Sequence, residues 1–311
     1  MTGQSLPSDN LEILETLLPH LKVGAEYAAR IQERIGQQPD KSTIGDNPFA
    51  AALSDADISI QTVVEVAVLA AYPEARFFGE EYASSVNTKY LSATWWGDAD
   101  QGVDDRVLLL DPIDGTRYYL DQGEFHVIFS VISRESYEAS MFLFPRRRKI
   151  IYAVRGRGAF VGDWSEVNVR NFSRLQLGEP ILQSGGGEPP VYCSLHASLN
   201  ESALAPLSVF HLARDYRPGP TTPIHAGLFF GDVSAVVMNS SQLIDGAAIA
   251  FVAAEGGAWV STHSGEPMPP PCSANAEKQL VGFVASRSED IHRRILVALE
   301  KSRNEEGLRQ G

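Results

Sequence analysis

The stretch LLLDPIDGTRYYL, residues 108–120, runs three leucines into a turn that carries two aspartates, Asp111 and Asp114, with no lysine beside them. The end of an apolar strand is a poor place for unpaired carboxylates, because a desolvated charge must find a partner or give up its ionisation. A neighbouring base, a proton or a cation could serve. Asp-Pro-x-Asp-Gly is also favourable turn chemistry in itself, so this segment alone leaves the choice open.

Two other segments share the design. ARFFGEE (75–81) ends an apolar run in Glu80 and Glu81, and QLIDGAAIAF (242–251) passes through Asp245 into an alanine-rich run. Asp114 and Asp245 each lead through a glycine into an expected helix, where an acidic residue is stabilised by the helix dipole and free N–H groups. That accounts for each site taken singly. If the strand ends converge, four or five carboxylates meet, and such a group cannot fully ionise without a cation. All-oxygen donors without histidine or cysteine suit Mg²⁺. Gly115 and Thr116, at a helix start, offer backbone N–H groups to an anion. Carboxylates for metal beside donors for phosphate describe metal-assisted phosphoryl transfer to water. Thr116 and Asp57 are the candidates for orienting that water. Asp57 reads equally well as a first-turn acid of its helix.

The chain has 311 residues, 44% of them hydrophobic, enough for one large or two modest domains. Its 26 basic and 39 acidic residues give a formal charge of −13, which argues against a nucleic-acid polymer as partner. The one dense basic run, PRRRK at 145–149, sits between apolar strands and reads as a hairpin turn. Two cysteines, Cys193 and Cys272, make neither a disulfide framework nor a zinc site. The N-terminus lacks a signal-peptide pattern and no segment is long and apolar enough to span a membrane, so a cytoplasmic setting is expected. No D-x-D-x-D-G calcium loop occurs.

Helical spacing predicts one or two helices over 7–35, with Pro19 allowing a break, and a helix over 54–72 capped by Ser54 or Asp55. Strands are expected at ARFFGEE and RVLLLD, then an antiparallel set at 126–135, 137–145 and 149–163. The second half is expected to hold a helix near 199–214, a strand at 234–239, an alanine-rich helix stopped by Gly256-Gly257, and a closing amphipathic helix. This interleaving indicates a layered α/β or α+β domain.

GEEYA (79–83), DPIDGT (111–116), YAVRGRGAF (152–160) and LIDGAAIAFVAAEGG (243–257) resemble, in order and spacing, the signatures of the inositol monophosphatase superfamily, from about residue 54 to 260. The resemblance implies an αβαβα sandwich of two sheets. It implies one phosphatase domain over 1–311, with a metal-site half at 1–178 and a substrate-side half at 179–311. It further implies a lithium-sensitive phosphatase using two or three Mg²⁺ ions, working as a monomer or homodimer. Glu80, Asp111 and the Ile113 carbonyl would hold the first metal, and Asp111, Asp114 and Asp245 the second. Thr116 and Asp57 would activate water, and Gly115 and Thr116 would bind phosphate. SDAD at 54–57 matches the family segment that ends in the water-activating aspartate. The chain departs from the family in having Ile244 where tryptophan is usual, and in a longer loop at 41–53 that puts Lys41 in the flap region.

The implied substrate is a small phosphorylated metabolite. DGTRYYLDQGEF (114–125) is closest to the 3′(2′),5′-bisphosphate nucleotidase branch, and CSLHAS (193–198) places His196 as a candidate substrate contact. A second phosphate needs basic ligands, and 150–277 contains no lysine. Arg214 and Arg217 are the better candidates there; Arg155 and Arg157 belong to a structural turn. An inositol, sugar or histidinol monophosphate is the alternative substrate, and an inactive metal-binding partner protein the lesser one.

Overall fold

The computed structural model describes residues 5–36, 54–81, 91, 105–178, 188–195 and 199–310. The expected elements at 41–53 and His196 fall outside these residues. The chain divides into two compact units, Met1–Arg174 with Pro218–Thr221, and Leu175–Arg217 with Thr222–Gly311.

The first unit opens with helix α1 (Asn10–Ile31), whose start is capped by Asp9 accepting the Leu11 N–H at 3.1 Å. Pro19 lies inside this one helix and does not break it; it stands on the exposed face, beside the exposed His20. Helix α2 (Asp55–Ala71) begins at Ser54 and stops ahead of Pro73. The helices cross where Gly24 meets Ile60: a Cβ at Gly24 would lie 3.1 Å from the isoleucine Cγ2.

Strand β1 (Arg76–Gly79) pairs in parallel with β2 (Val107–Asp114). From there the sheet continues antiparallel through β3 (His126–Ile132), β4 (Tyr137–Phe144), β5 (Lys149–Val154), β6 (Gly158–Asp163) and β7 (Ser173–Arg174), neighbours following chain order. A five-residue helix, α3 (Thr116–Leu120), connects β2 to β3. Leu108 and Leu110 of β2 join the core with Leu14, Leu17, Ile60 and Val64 of the two long helices. Every residue of β2 is buried, and full burial of each leucine contributes about 1.5–3 kcal/mol.

The PRRRK run is the β4–β5 turn, and its cations are used within the unit. Arg146 bonds Gln32, Arg147 grips Glu124, Arg148 meets Glu26, and Lys149 meets Asp163. Arg155 and Arg157 are likewise engaged, with Ser136 and Asp9.

The second unit carries a mixed sheet in the order β11-β12-β10-β8-β9, made of β8 (Val191–Cys193), β9 (Val209–His211), β10 (Ala235–Gln242), β11 (Trp259–Thr262) and β12 (Gln279–Ser286). Strands β8, β9 and β10 run in parallel. The helix expected near 199–214 is replaced by a 3₁₀ turn (Glu201–Leu204), strand β9 and the single-turn helix α4 (Leu212–Asp215). Pro206, which has no N–H to give, interrupts the helical pattern, and Val209-Phe210-His211 gain a partner in β8. Helix α5 (Gly246–Glu255) follows β10 and ends at Gly256 as expected, and α6 (Glu289–Gln310) closes the chain. Among the described residues no helix is long and apolar enough to cross a membrane.

Candidate active site

In the first unit, α2, the end of β1 and the β2–α3 turn supply the predicted residues. Asp57 stands in the first turn of α2 and is fully buried. Its Oδ2 accepts the Ser54 N–H at 2.8 Å and the Ser54 hydroxyl at 2.5 Å. Its Oδ1 lies 3.2 Å from the Thr116 hydroxyl. Asp57 therefore caps its helix with one oxygen and meets the Thr116 hydroxyl with the other. The same hydroxyl lies 2.9 Å from the Ile113 carbonyl, and its single proton must choose between the two acceptors.

Asp111 and Asp114 remain in the extended run of β2, 3% and 9% exposed. The register between β2 and β3 shifts between them, which frees this stretch from regular pairing. A carboxylate oxygen of Asp111 and one of Asp114 lie within 4.8 Å of each other. Asp111 Oδ1 also accepts the Ile113 N–H at 3.0 Å. Gly115 then takes a left-handed conformation, φ +83°, and Thr116 starts α3. A left-handed residue followed by a right-handed one turns successive N–H groups toward a common side, a concavity suited to anions. Two buried carboxylates at this spacing, with an adjacent carbonyl, form a hard-oxygen donor set that fits a divalent cation.

Glu80 and Glu81 follow β1, Glu80 half-buried and Glu81 buried. The Glu81 N–H donates to the Gln61 side-chain oxygen at 3.0 Å.

The sequence reading missed His126 and Gln61. His126 is 1% exposed, and its Nε2 lies 2.6 Å from Asp114 Oδ2. An unbroken register from Val107–Ile132 would set Asp114 opposite Phe125, and the shift between Asp111 and Asp114 brings His126 there instead, so no sequence pattern marked the pair. Nearby, burial first and the Asp57 charge second push the Tyr119 phenol above its ordinary range, and its hydroxyl donates to the Ala28 carbonyl at 2.9 Å.

In the second unit, Asp245 is the N-cap of α5, its carboxylate accepting the Gly246 N–H. Ile244, at the position where the family usually has tryptophan, is 5% exposed and packs. Arg214 reaches Glu201 at 2.6 Å and Asp215 at 2.7 Å. Its guanidinium holds the Asp215 carboxyl down at about 2, and Asp215 and Glu201 together raise the arginine. Arg217 bonds the carbonyls of Arg214 and Tyr216.

The profile of the Inositol monophosphatase family matches residues 14–184. No curated protein sequence matches the chain. Among solved structures, the chain is similar to the IMPase of Thermotoga maritima, with a TM-score of 0.64, 17% identity, and 94% of this chain and 99% of that one covered. It is also similar to the extragenic suppressor protein SuhB of Bartonella henselae, with a TM-score of 0.62, 17% identity, and coverage of 94% and 98%. An IMPase/NADP phosphatase complexed with Mg²⁺ and phosphate gives a TM-score of 0.60 at 17% identity, with coverage of 93% and 95%. At these identities the likeness is one of fold, two mixed sheets with interleaved helices, while the profile match spans more than half of the chain. The chain belongs to the inositol monophosphatase family, a family of phosphatases.

Proposed function

We propose that the protein is a Mg²⁺-dependent phosphomonoesterase acting on a small phosphorylated metabolite, with one phosphatase domain built from a metal-site half and a substrate-side half. The observation that carries this reading is the pair of buried carboxylates, Asp111 and Asp114, with oxygens within 4.8 Å of each other, next to the Thr116–Asp57 contact of 3.2 Å. Glu80, Asp111 and the Ile113 carbonyl would hold one ion, and Asp111, Asp114 and Asp245 a second. Magnesium bound there would supply Lewis-acid activation of water and neutralise charge on the phosphoryl and leaving oxygens.

The chain's own groups do the orienting. With Asp57 Oδ2 occupied by Ser54, Oδ1 is the oxygen that takes the Thr116 proton. The Thr116 oxygen then presents lone pairs to a water hydrogen, which turns the water's own lone pair away from Thr116 and toward an incoming phosphorus. The N–H groups of Gly115 and Thr116 would hold the phosphate oxygens. His126 beside Asp114 fixes that carboxylate's orientation.

The substrate reading rests on DGTRYYLDQGEF, which favours a 3′(2′),5′-bisphosphate nucleotide, with His196, Arg214 and Arg217 as contacts. One observation favours an inositol, sugar or histidinol monophosphate instead: Arg214 is already held by Glu201 and Asp215. Two similar solved structures are named with bound phosphomonoesters, an IMPase/NADP phosphatase with D-inositol 1-phosphate and an IMPase with 2′-AMP, which is a nucleotide with a single phosphate. A cytoplasmic setting, as a monomer or homodimer, completes the reading, supported by two free cysteines and the absence of a membrane-crossing helix among the described residues.

The test is phosphate release with Mg²⁺ from inositol 1-phosphate, adenosine 3′,5′-bisphosphate, histidinol phosphate and fructose 1,6-bisphosphate, each with and without lithium. A metal-dependent preference for one ester is expected. No release from any of them, with Mg²⁺ still bound, would point to a specialised substrate outside this panel or to an inactive partner protein.

A further inference from the structure

We propose that Gln61 is a positioning residue that aims the Glu80 carboxylate at the metal site; the inference rests on the reading of Glu80 as a ligand. Gln61 lies on α2 four residues after Asp57, and at helical pitch the two share a face. It is fully buried, and its Oε1 accepts the N–H of Glu81 at 3.0 Å. That bond pins the chain at the point where β1 ends and the carboxylates begin. The approach is so close that a Cβ at Gly79 would fall inside the Gln61 amide. Glycine at 79 and glutamine at 61 are thus one fitting, in which the strand end is seated directly on the helix side chain.

Energetics indicate a purpose for the seat. Among the described residues Gln61 Nε2 is buried without a hydrogen-bond partner, as is Oε1 of Glu65, one turn further along the helix and 2% exposed. An unsatisfied buried polar atom carries an uncompensated desolvation penalty, and a leucine at either position would avoid it. What glutamine provides that leucine cannot is the acceptor for Glu81. Helix α2 then acts as a ruler: Asp57 locates Thr116, and Gln61, one turn on, locates Glu80. Removing a group that orients a metal ligand typically costs 10–100-fold in metal affinity.

The experiment is calorimetric titration of the purified full chain with Mg²⁺, read without substrate, with unfolding midpoints recorded in parallel. Gln61→Leu is expected to raise the Mg²⁺ Kd about tenfold, whereas Gln61→Glu, which keeps a side-chain oxygen at the same reach, stays within about threefold of the parent. Glu80→Gln is the control. If Glu80→Gln leaves the Kd unchanged, the ligand reading itself fails and the inference falls with it. If Glu80→Gln weakens binding and Gln61→Leu does not, the ligand stands and the positioning role is overturned. Equal losses in Gln61→Glu and Gln61→Leu overturn it too, since the oxygen would then be irrelevant. Should Gln61→Leu fail to fold, Gly79→Ala disturbs the same seat from the strand side, and an unaltered Kd in that variant overturns the inference.

Discussion

The turn that follows β2 and the turn that follows β10 are written in nearly the same letters, an apolar strand, an aspartate, a glycine and a helix, yet they spend their carboxylates differently. After β10, Asp245 caps a ten-residue helix and its carboxylate takes the first N–H of α5. After β2, the helix has five residues, its N-cap is Gly115, and Asp111 and Asp114 stay in the strand. The second unit's aspartate is thus used by its own helix. The first unit's pair is not needed to start α3, and two acids buried that close repel each other unless a proton or a cation offsets their charge. A strand-Asp-Gly-helix pattern therefore says little until the length of the helix and the register of the strand are known.

The sharpest way to break this contrast is Asp111→Asn. Phosphate release should fall at least about a thousandfold, with circular dichroism and unfolding midpoint retained; normal turnover would remove the metal assignment. Thr116→Ala comes next. Loss of the water-orienting hydroxyl should lower kcat about a hundredfold with KM little changed, and an effect confined to KM would make Thr116 a binding residue only. Asp245→Asn is expected to do less, because an asparagine still caps a helix. The Mg²⁺ concentration for half-activation should rise about tenfold, while a loss of stability without that rise would make Asp245 a cap and nothing more. The smallest effect separates the two glycines. Gly115→Ala must hold φ at +83° and should cost about 1–2 kcal/mol in urea unfolding. Gly246→Ala brings a Cβ to 3.3 Å from the Ser241 Cβ, 3.5 Å from its Cα and 3.7 Å from the Met238 Cε and gains helix propensity, so its stability should stay near the parent's.

Much of the first unit was legible because its signals are local. Strands β3 to β6 announce themselves by apolar runs parted by turns, and α2 by Ser54 and Pro73. Strands β11 and β12 were not foreseen: GAWVST and QLVGFVAS are short and hold together by pairing with each other and with β10, far along the chain. The segment 199–214 misled for the opposite reason, since Leu204, Leu207 and Leu212 keep helical spacing while Pro206 and the pairing of β9 overrule it. At the site, residue types carried Asp57, Asp111, Asp114 and Thr116. His126 and Gln61 stayed hidden because their importance lies in which neighbour they touch, and that is set by register and helix phase.

The division of labour on Asp57 bears on how this chain could evolve. Helix α2 is started by the same carboxylate that meets Thr116. A descendant that abandoned chemistry would still be held to an acid at 57 by its own folding, so the persistence of that residue across relatives would not by itself record selection for turnover. Thr116 carries no comparable obligation to the helix that it begins. Decay of the activity would be written first at position 116, and a comparison of lineages should look there before it looks at 57.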